Sequence, residues 1–317
     1  MSRAPEATTV FDSSFDLSRA LTHSFGVICD LISLTKPRIL TLLLISTCCP
    51  MVLAAQGSIP YHLLAFALLG GALISGSASA LNCVWDRDID TVMERTKDRP
   101  LPRGRLSVST SVIFALLLGL IGFVVLYRGL NPMAAGIALF GHFFYVVIYT
   151  MWLKRSTPQN IVIGGAAGAI PPIVGWVGVT GRLDYEAMLL FLIIFLWTPP
   201  HFWALALNKN SDYQRAGVPM LPVVSGERTT HKQMLWYALS LIPVSGLLVY
   251  SSAALGWFSL TVLLSLGVIF AYKVFQLMCC IDEDGPLKTR KAWDVFGFSL
   301  IYLALFFVCL VVDSALI

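Results

Sequence analysis

The chain carries a regular series of oxygen-bearing side chains between residues 82 and 90. Asn82, Asp86 and Asp90 are spaced four residues apart. In a helix, positions four residues apart drift by only ~40° per step, so these side chains would line one face. Carboxylate and amide oxygens suit Mg²⁺, which commonly keeps waters and shares substrate phosphates. The spacing therefore predicts a metal site formed by these three residues.

Basic residues follow this series closely. Six of the 22 Lys and Arg residues lie between Arg87 and Arg105. Such a cluster suits phosphates whose charge a metal ion leaves un-neutralised, because Arg and Lys donate charge-assisted hydrogen bonds to phosphate oxygens. The alternative is a solvated loop of mixed charge between two membrane spans. That alternative explains the basic residues but not the four-residue register, so we favour a metal–diphosphate site.

The composition is that of a polytopic membrane protein. Hydrophobic residues make up 57% of the 317-residue chain and charged residues 13%, whereas soluble proteins average about 25% charged residues. Apolar runs of the ~20 residues that a membrane helix needs can be recognised along the chain. They cover residues 38–55, 62–82, 108–127, 131–152, 158–180, 186–207, 233–251, 256–279 and 294–313. The sequence thus predicts an all-α bundle of nine transmembrane helices.

The basic residues are distributed unevenly between the two sides of these predicted spans. Of the 22 Lys and Arg residues, only Arg128 and Arg182 lie on the side opposite the N-terminus. Positive residues stay on the cytoplasmic side, so the N-terminus and the four longer loops are expected there. This polarity suits an enzyme that takes a charged substrate from the cytoplasm. It disfavours a transporter, which needs polar groups near mid-membrane and a second exit.

The N-terminal region differs from the rest of the chain. Its first 25 residues contain Glu6, Asp12 and Asp16 and no apolar core. This pattern is typical of neither a signal peptide nor a mitochondrial transit peptide. We expect residues 1–32 to form a cytoplasmic tail and residues 33–317 to form one membrane domain.

Two more groups of cations lie at span ends on the same side. Lys36 and Arg38 flank Pro37 before the first span, where snorkelling at the membrane surface explains them equally well. Lys154 and Arg155 follow the fourth span. The fifth span is rich in glycine, which permits close helix packing. Its proline pair at 171–172 is expected to kink or interrupt it.

The sixth predicted span repeats part of the first pattern. Asn208 and Asp212 form a second pair four residues apart, four spans after the first. This offset indicates an internal duplication that builds one site from two halves, with a single acid in the second half. His201 follows Pro199 and Pro200 within an apolar stretch. It could contact a porphyrin or a diphosphate, or satisfy a carbonyl freed by the prolines.

These blocks together resemble a known family. The series Asn82-x-x-x-Asp86-x-x-x-Asp90, followed by Arg95-Thr96-Lys97-Asp98-Arg99-Pro100, resembles the first signature of the UbiA-type intramembrane prenyltransferases. Residues 35–38, 149–176 and 197–222 resemble the branch of this family that farnesylates protoheme. The resemblance runs from about residue 33 to the end of the chain. It departs from the wider family at residues 208–212, where most members carry two aspartates.

The resemblance implies a UbiA-type helix bundle and a reaction. The farnesyl group of farnesyl diphosphate would pass to the vinyl group of protoheme IX (heme B), giving heme O and diphosphate with Mg²⁺ required. Water would complete the hydroxyethyl group. The enzyme would work in the lipid bilayer of a bacterial inner membrane, ahead of a heme A synthase.

The residue patterns and the resemblance together predict roles for single residues. The implied metal ligands are Asn82, Asp86, Asp90 and Asp212. The implied diphosphate-binding residues are Lys36, Arg38, Arg95, Lys97, Arg99, Lys154 and Arg155. The implied catalytic residues are Asp86, Asp90, Lys154 and Tyr149, and His201 is the candidate for contact with heme.

Three other classes of function explain less of this sequence. A UbiA-type prenyltransferase could act on another aromatic or quinone-type acceptor, which the block around His201 disfavours. A cation or substrate transporter is disfavoured by the uneven basic residues and by span interiors without acids. A phosphatidyltransferase-like enzyme would carry a D-x-x-D-G-x-x-A-R run, and this sequence has none.

Overall fold

The structure is a computed structural model that describes residues 13–280 and 285–316. Throughout these ranges the regular structure is helical. Nine helices within them are long and apolar enough to cross a membrane. The protein is therefore an integral, multi-pass membrane protein, and the predicted all-α fold is confirmed.

The helices follow one another with short connections. The first part of the chain forms α1 (Ser13–Leu34), α2 (Pro37–Ala54), α3 (Tyr61–Trp85), α4 (Arg87–Val92), α5 (Val108–Gly129) and α6 (Pro132–Phe143). A π-helix (Phe144–Leu153) continues α6 and leads into the short α7 (Lys154–Ser156). The remainder forms α8 (Asn160–Thr180), α9 (Tyr185–Asn208), α10 (Asn210–Arg215), α11 (Leu221–Ser251), α12 (Trp257–Cys279) and α13 (Pro286–Leu316).

The predicted spans agree with these helices to within a few residues, except for the starts of the seventh and the ninth. α11 begins at Leu221 rather than near residue 233, and α13 begins at Pro286 rather than near residue 294. In both places polar, charged turns precede the apolar run, so hydropathy does not register them as part of the helix. Gly226, with φ 74° and ψ 171°, bends α11 within its polar part.

The proline pair of the fifth span does not interrupt it, contrary to one of the two predicted outcomes. α8 continues through Pro171 and Pro172. Each proline lacks a backbone N–H and so removes one bond of the helix. Such losses are tolerated in membrane helices, because neighbouring helices and local adjustments satisfy the freed carbonyls.

Local capping signals define the hairpin of α5 and α6. The Ser107 hydroxyl accepts a hydrogen bond from the Thr110 amide at 3.0 Å, which begins α5. The Asn131 side chain accepts one from the Ala134 amide at 2.8 Å, with Pro132 in the first turn of α6. Ser and Asn are strong N-cap residues, and proline suits the first helical position. The sequence therefore encodes both helix starts locally.

Close packing holds α2 against α8. A Cβ atom on Gly175 would lie 2.1 Å from the carbonyl oxygen of Thr47, so the two backbones approach too closely for any side chain there. Small residues permit this kind of contact in membrane bundles. The contact fixes α2, whose first turn lies beside the polar site.

α1 lies across the boundary that was predicted between tail and membrane domain. Leu34 at its end is buried with Ala80 of α3. The Arg105 guanidinium donates to both carboxylate oxygens of Asp30, at 2.9 and 3.0 Å. Residues 1–12 of the predicted tail lie outside the described residues. The division after residue 32 falls inside α1 and stays a prediction.

Candidate active site

The predicted oxygen series spans the junction of α3 and α4. The Asp86 amide donates to the Asn82 carbonyl at 2.9 Å, and the Asp90 amide donates to the Asp86 carbonyl at 2.8 Å. The helical register therefore continues from one helix into the next. All three side chains are buried, and the Asn82 amide donates to Asp86 Oδ2 at 2.8 Å. The structure thus brings these residues together as the spacing predicts.

Three cations from three other segments contact this series. Lys36 Nζ donates to Asn82 Oδ1 at 2.6 Å, Lys154 Nζ to Asp86 Oδ2 at 2.5 Å, and Arg99 Nη1 to Asp90 Oδ2 at 2.7 Å. Ionised carboxylates rarely stay buried without such partners. The result is a buried cluster of alternating charge. It can exchange its internal partners for an anion and a metal ion.

Lys36 reaches the cluster from an uncommon backbone conformation. It precedes α2 with φ 54° and ψ 62°, in the left-handed region that side-chain-bearing residues seldom adopt. Pro37 directly after it begins α2. Burial lowers the pKa of the Lys36 ammonium below its ordinary value. A polyanion bound beside Lys36 would oppose this shift, since a negative charge favours the ammonium form.

Arg155 contacts residues on both sides of the α3–α4 junction. Its guanidinium donates to both carboxylate oxygens of Asp88, each at 2.7 Å, and to the Trp85 carbonyl at 3.2 Å. One of its nitrogens also lies 3.8 Å from Asp86 Oδ1. The hydrogen bonds from Arg155 lower the pKa of the Asp88 carboxyl to about 2. Arg155 therefore ties the end of the π-helix region to the helix that carries Asp90.

Lys154 follows directly after the π-helix, and its side chain reaches Asp86. In an α-helix, which turns ~100° per residue, the nine residues from Tyr145 to Lys154 would place the two on opposite sides. Hydrogen bonds five residues apart turn the chain by roughly 80° per residue, so nine residues make about two full turns. Tyr145 and Lys154 then share one face, and Lys154 reaches Asp86. Hydropathy alone does not reveal this change of helix type.

Thr150 is a site residue that the sequence did not indicate. It is fully buried within the π-helix. The Asn82 side-chain amide donates to Thr150 Oγ1 at 3.0 Å. The threonine lies next to the predicted Tyr149, but no spacing in the sequence relates it to Asn82, 68 residues earlier. Only the folded arrangement of α3 and the π-helix identifies it.

Tyr149 is held by close contacts. Its ring lies 5.5 Å from that of Tyr145, centroid to centroid. A Cβ atom on Gly164 of α8 would lie 2.2 Å from Tyr149 Cδ2. The absence of a side chain at Gly164 therefore lets the Tyr149 ring pack against α8. Packing explains this glycine, as the sequence suggested for the glycine-rich span.

The remaining predicted cations divide into two groups. Arg95 lies beside the buried Tyr213 of α10, whose pKa is raised by burial. Arg38 is exposed and Lys97 pairs with Glu94 at 2.5 Å. The structure therefore does not bring Arg38 and Lys97 to the oxygen series. Their predicted roles in diphosphate binding remain untested.

The second oxygen pair lies at the junction of α9 and α10. The Asn208 amide donates to the Ala204 carbonyl within α9 at 3.1 Å. Asp212 is buried and forms an ion pair with Arg215 of its own short helix. This junction repeats the local plan of the first one. It differs in that its acid is neutralised from within the same helix.

His201 is buried in an aromatic stack. Its ring lies between Trp197 at 4.3 Å and Phe296 at 4.8 Å, and Nδ1 is 2.7 Å from Ser299 Oγ of α13. The Ser299 hydroxyl donates its single hydrogen to the Phe296 carbonyl at 2.5 Å, so Nδ1 must be the donor toward it. The Nε2 lone pair is then left available. The predicted carbonyl partner is wrong, because the ring bonds to a hydroxyl on another helix.

The donors fit Mg²⁺ better than a closed metal cage. Across the described residues no group of three or more His, Cys, Asp or Glu side chains could hold a metal ion. Two carboxylates and one amide are present, and Asp86 Oδ1 is buried with no hydrogen-bond partner. Arg155 lies 3.8 Å from this oxygen, beyond hydrogen-bond distance, so the oxygen keeps its lone pairs for a closer cation. The set suits a Mg²⁺ ion that keeps waters and shares substrate phosphates.

Comparison with known proteins defines the class. Residues 42–301 match the model of the UbiA prenyltransferase family. The match covers well over half of the chain, so the protein belongs to the UbiA prenyltransferase family. Within that family it is 48% identical over 290 residues to Protoheme IX farnesyltransferase from Picosynechococcus sp., an alignment that covers 92% of this chain and 90% of the relative.

Solved structures share the fold. A structure of digeranylgeranylglyceryl phosphate synthase superposes with a TM-score of 0.76 at 17% identity, covering 92% of this chain and 99% of the other. A UbiA homolog from Archaeoglobus fulgidus bound to DMAPP and Mg²⁺ has a TM-score of 0.65 at 14% identity, covering 89% and 99%. At these identities the likeness extends to the fold, and the predicted UbiA-type bundle is confirmed.

Proposed function

We propose that this chain transfers the farnesyl group of farnesyl diphosphate to a vinyl group of protoheme IX, giving heme O and diphosphate. The observation that carries the proposal is the buried cluster in which Lys154 and Lys36 meet Asp86 and Asn82. A polytopic membrane protein needs such a charged cluster in order to hold a polyanion at a bilayer surface. The choice of acceptor rests on the relatives named Protoheme IX farnesyltransferase.

The reaction balances with one water molecule. The bond between farnesyl C1 and its oxygen breaks, and diphosphate leaves with the electron pair. C1 then bonds to the terminal vinyl carbon of protoheme. The oxygen of water bonds to the other vinyl carbon, and the proton of that water is released. The product is the farnesyl hydroxyethyl side chain of heme O.

Negative charge grows on the leaving diphosphate, and the site residues are placed to meet it. Lys154, Lys36 and Arg99 lie around the oxygen series and can donate to phosphate oxygens in exchange for their present partners. Lys97, Arg38, Arg95 and Arg155 are proposed as outer contacts. The Tyr149 ring is proposed to face the allylic cation, since an aromatic face attracts positive charge.

Mg²⁺ is the proposed cofactor. When bound, it adds positive charge that stabilises the departing diphosphate. Asn82, Asp86 and Asp90 would hold it, with Asp212 as a secondary ligand. The A. fulgidus homolog binds Mg²⁺ together with a prenyl diphosphate, which supports the same requirement here. Asp86 Oδ1, which is buried and accepts no hydrogen bond, offers lone pairs to such a cation.

His201 is the proposed contact for the heme acceptor. Its Nδ1 is held by Ser299, and its Nε2 lone pair can bind iron, as neutral imidazole commonly does. The flanking Trp197 and Phe296 rings keep the imidazole in one plane. This arrangement would orient the porphyrin rather than take part in bond making.

The proposed location is a bacterial inner membrane, with the N-terminus and the charged site in the cytoplasm. The uneven placement of Lys and Arg supports this orientation. The lipid bilayer then surrounds the apolar farnesyl chain and porphyrin ring, while the charged diphosphate lies at the cytoplasmic surface. A heme A synthase is the proposed consumer of the product.

One assay tests this function. Membranes that contain the protein are incubated with farnesyl diphosphate, heme and Mg²⁺, and the extracted porphyrins are analysed by mass spectrometry. The proposal expects a heme whose mass has increased by one farnesyl group and one hydroxyl group. Farnesylation of a hydroxybenzoate or quinone-type ring, with heme unchanged, would instead favour the other acceptor class.

A further inference from the structure

The side-chain amide of Asn82 has one orientation that satisfies all of its neighbours. Its Oδ1 accepts from Lys36 at 2.6 Å. Its Nδ2 donates to Asp86 Oδ2 at 2.8 Å and to Thr150 Oγ1 at 3.0 Å. A flipped amide would aim an N–H group at the Lys36 ammonium and an oxygen at the Asp86 carboxylate. Both contacts would then be repulsive.

Thr150 contributes to this orientation because its hydroxyl can only accept from Asn82. A hydroxyl carries one hydrogen. Thr150 Oγ1 donates that hydrogen to the carbonyl of Tyr145, five residues earlier, at 2.8 Å. The five-residue separation matches the repeat of the π-helix. Thr150 therefore presents only lone pairs toward α3, and the N–H side of the Asn82 amide must face it.

We propose that Thr150 is a positioning residue for the metal–diphosphate site, which it serves by holding the Asn82 amide with Oδ1 turned toward the incoming cation. The inference rests on the proposed function, since it assumes that Asn82 Oδ1 binds the metal ion. It goes further in assigning a task to the π-helix. Its five-residue repeat places the Tyr145 carbonyl where it accepts the Thr150 hydrogen.

A merely structural threonine would behave differently. Thr47 is also buried and donates its hydroxyl hydrogen to a backbone carbonyl of its own helix, that of Leu43 at 3.0 Å. Its hydroxyl makes no hydrogen bond to any of the site residues. Thr47→Val therefore removes the same kind of bond from the membrane interior without touching Asn82. It is the matched control for Thr150→Val.

The test measures binding of Mn²⁺, used in place of Mg²⁺, in the presence of inorganic diphosphate and without heme. Electron paramagnetic resonance reports the free Mn²⁺. Thr150→Val should weaken Mn²⁺ binding roughly threefold to tenfold, the usual worth of one orienting hydrogen bond. Thr150→Ser, which keeps the hydroxyl, should bind like the wild type, and so should Thr47→Val. Thr150→Ala lacks the hydroxyl as well and should repeat the valine result.

A second comparison isolates the amide. A carboxylate has two equivalent oxygens and no donor side, so an aspartate at position 82 needs no orienting partner. In an Asn82→Asp background, Thr150→Val should leave Mn²⁺ affinity unchanged. Equal Mn²⁺ binding by Thr150→Val and the wild type would overturn the proposal, as would equal losses in both backgrounds. These outcomes do not involve heme, so they are independent of whether heme is the acceptor.

Discussion

The α3–α4 and α9–α10 junctions have the same local construction. In each, a long membrane helix ends and a six-residue helix follows after a single residue. Each also carries an i, i+4 pair, Asn82 with Asp86 and Asn208 with Asp212, but Asp86 links its two helices whereas Asp212 is the third residue of α10. At the next step of four residues, the first junction has Asp90 whereas the second has Ala216. The second junction therefore lacks the third oxygen ligand.

The two junctions differ most in where their cations come from. At the first, Lys154 and Arg99 pair with the two carboxylates and Lys36 donates to Asn82; all three cations lie outside α3 and α4. The second is neutralised by Arg215 of α10 itself. Cations on separate segments can move away from the acids and make room for a diphosphate. An acid and a base one turn apart on the same helix stay paired with each other. We infer that the first junction holds the leaving group and that the α9 half serves the acceptor.

Replacing the acid of each pair, Asp86 or Asp212, should give the largest difference in activity between the two junctions. Asp86→Ala is expected to abolish product formation, a loss of at least about 1000-fold, because a group that holds the leaving diphosphate acts on the chemical step. Asp212→Ala should cost about tenfold or less, equivalent to ~1.4 kcal/mol of barrier. Turnover rates of both variants in membranes provide the measurement, and circular dichroism checks that both stay folded. Near-normal turnover by Asp86→Ala at saturating Mg²⁺ would remove its ligand role.

Removing one cation at each junction should lower the free energy of unfolding by different amounts. The Lys154 side chain is 15% exposed and its Asp86 partner 2%, whereas the Arg215 side chain is 58% exposed. Lys154→Ala leaves a buried carboxylate without its main partner, which costs about 3 kcal/mol. Arg215→Ala removes a partner that is largely solvated but leaves Asp212 at 9% side-chain exposure, so it should cost less, about 1–2 kcal/mol. Thermal unfolding in one detergent compares them, and equal losses would contradict the distinction.

His201 tests whether the α9 half serves the acceptor. His201→Ala should raise the KM for heme roughly tenfold, since it removes a ligand contact worth ~1.4 kcal/mol. The KM for farnesyl diphosphate should stay unchanged. Separate titrations of each substrate make the distinction. Equal effects on both substrates, together with a lower melting temperature, would show that the ring only packs between Trp197 and Phe296.

Asp88 should have the smallest effect, although it lies within the first junction. Its pKa of about 2 is below the ordinary carboxyl value of about 4. The Arg155 pair therefore contributes its stability above that ordinary value and loses it as the pH falls through 2. At 59% exposure of the Asp88 side chain, the pair should contribute about 0–1 kcal/mol. Unfolding of Asp88→Asn should differ little from wild type between pH 5 and 8, and a large, pH-dependent difference in that range would be unexpected.

Features set by local spacing could be predicted from the sequence. The register of Asn82, Asp86 and Asp90 was predictable because i→i+4 hydrogen bonds continue across the helix junction. The membrane spans were predictable because each needs a long apolar run. The starts of α11 and α13 were missed, because polar turns can be helical without any hydropathy signal.

Features that depend on distant contacts could not be predicted. Lys154 meets Asp86 across 68 residues of sequence, and no residue type between Phe144 and Leu153 indicates that this segment is a π-helix. Thr150 gains its role from Asn82, and His201 gains its partner from Ser299, 98 residues away. Such pairings follow from how the helices pack and not from spacing along the chain.

The central claim is that the α3–α4 junction holds the metal and the diphosphate. Its most direct test is Mn²⁺ binding in the presence of inorganic diphosphate, measured for the wild type, Asp86→Ala and Asp212→Ala. The account predicts that Asp86→Ala loses diphosphate-dependent Mn²⁺ binding, while Asp212→Ala retains it with an affinity reduced about tenfold or less. Retained binding in Asp86→Ala together with complete loss in Asp212→Ala would contradict it.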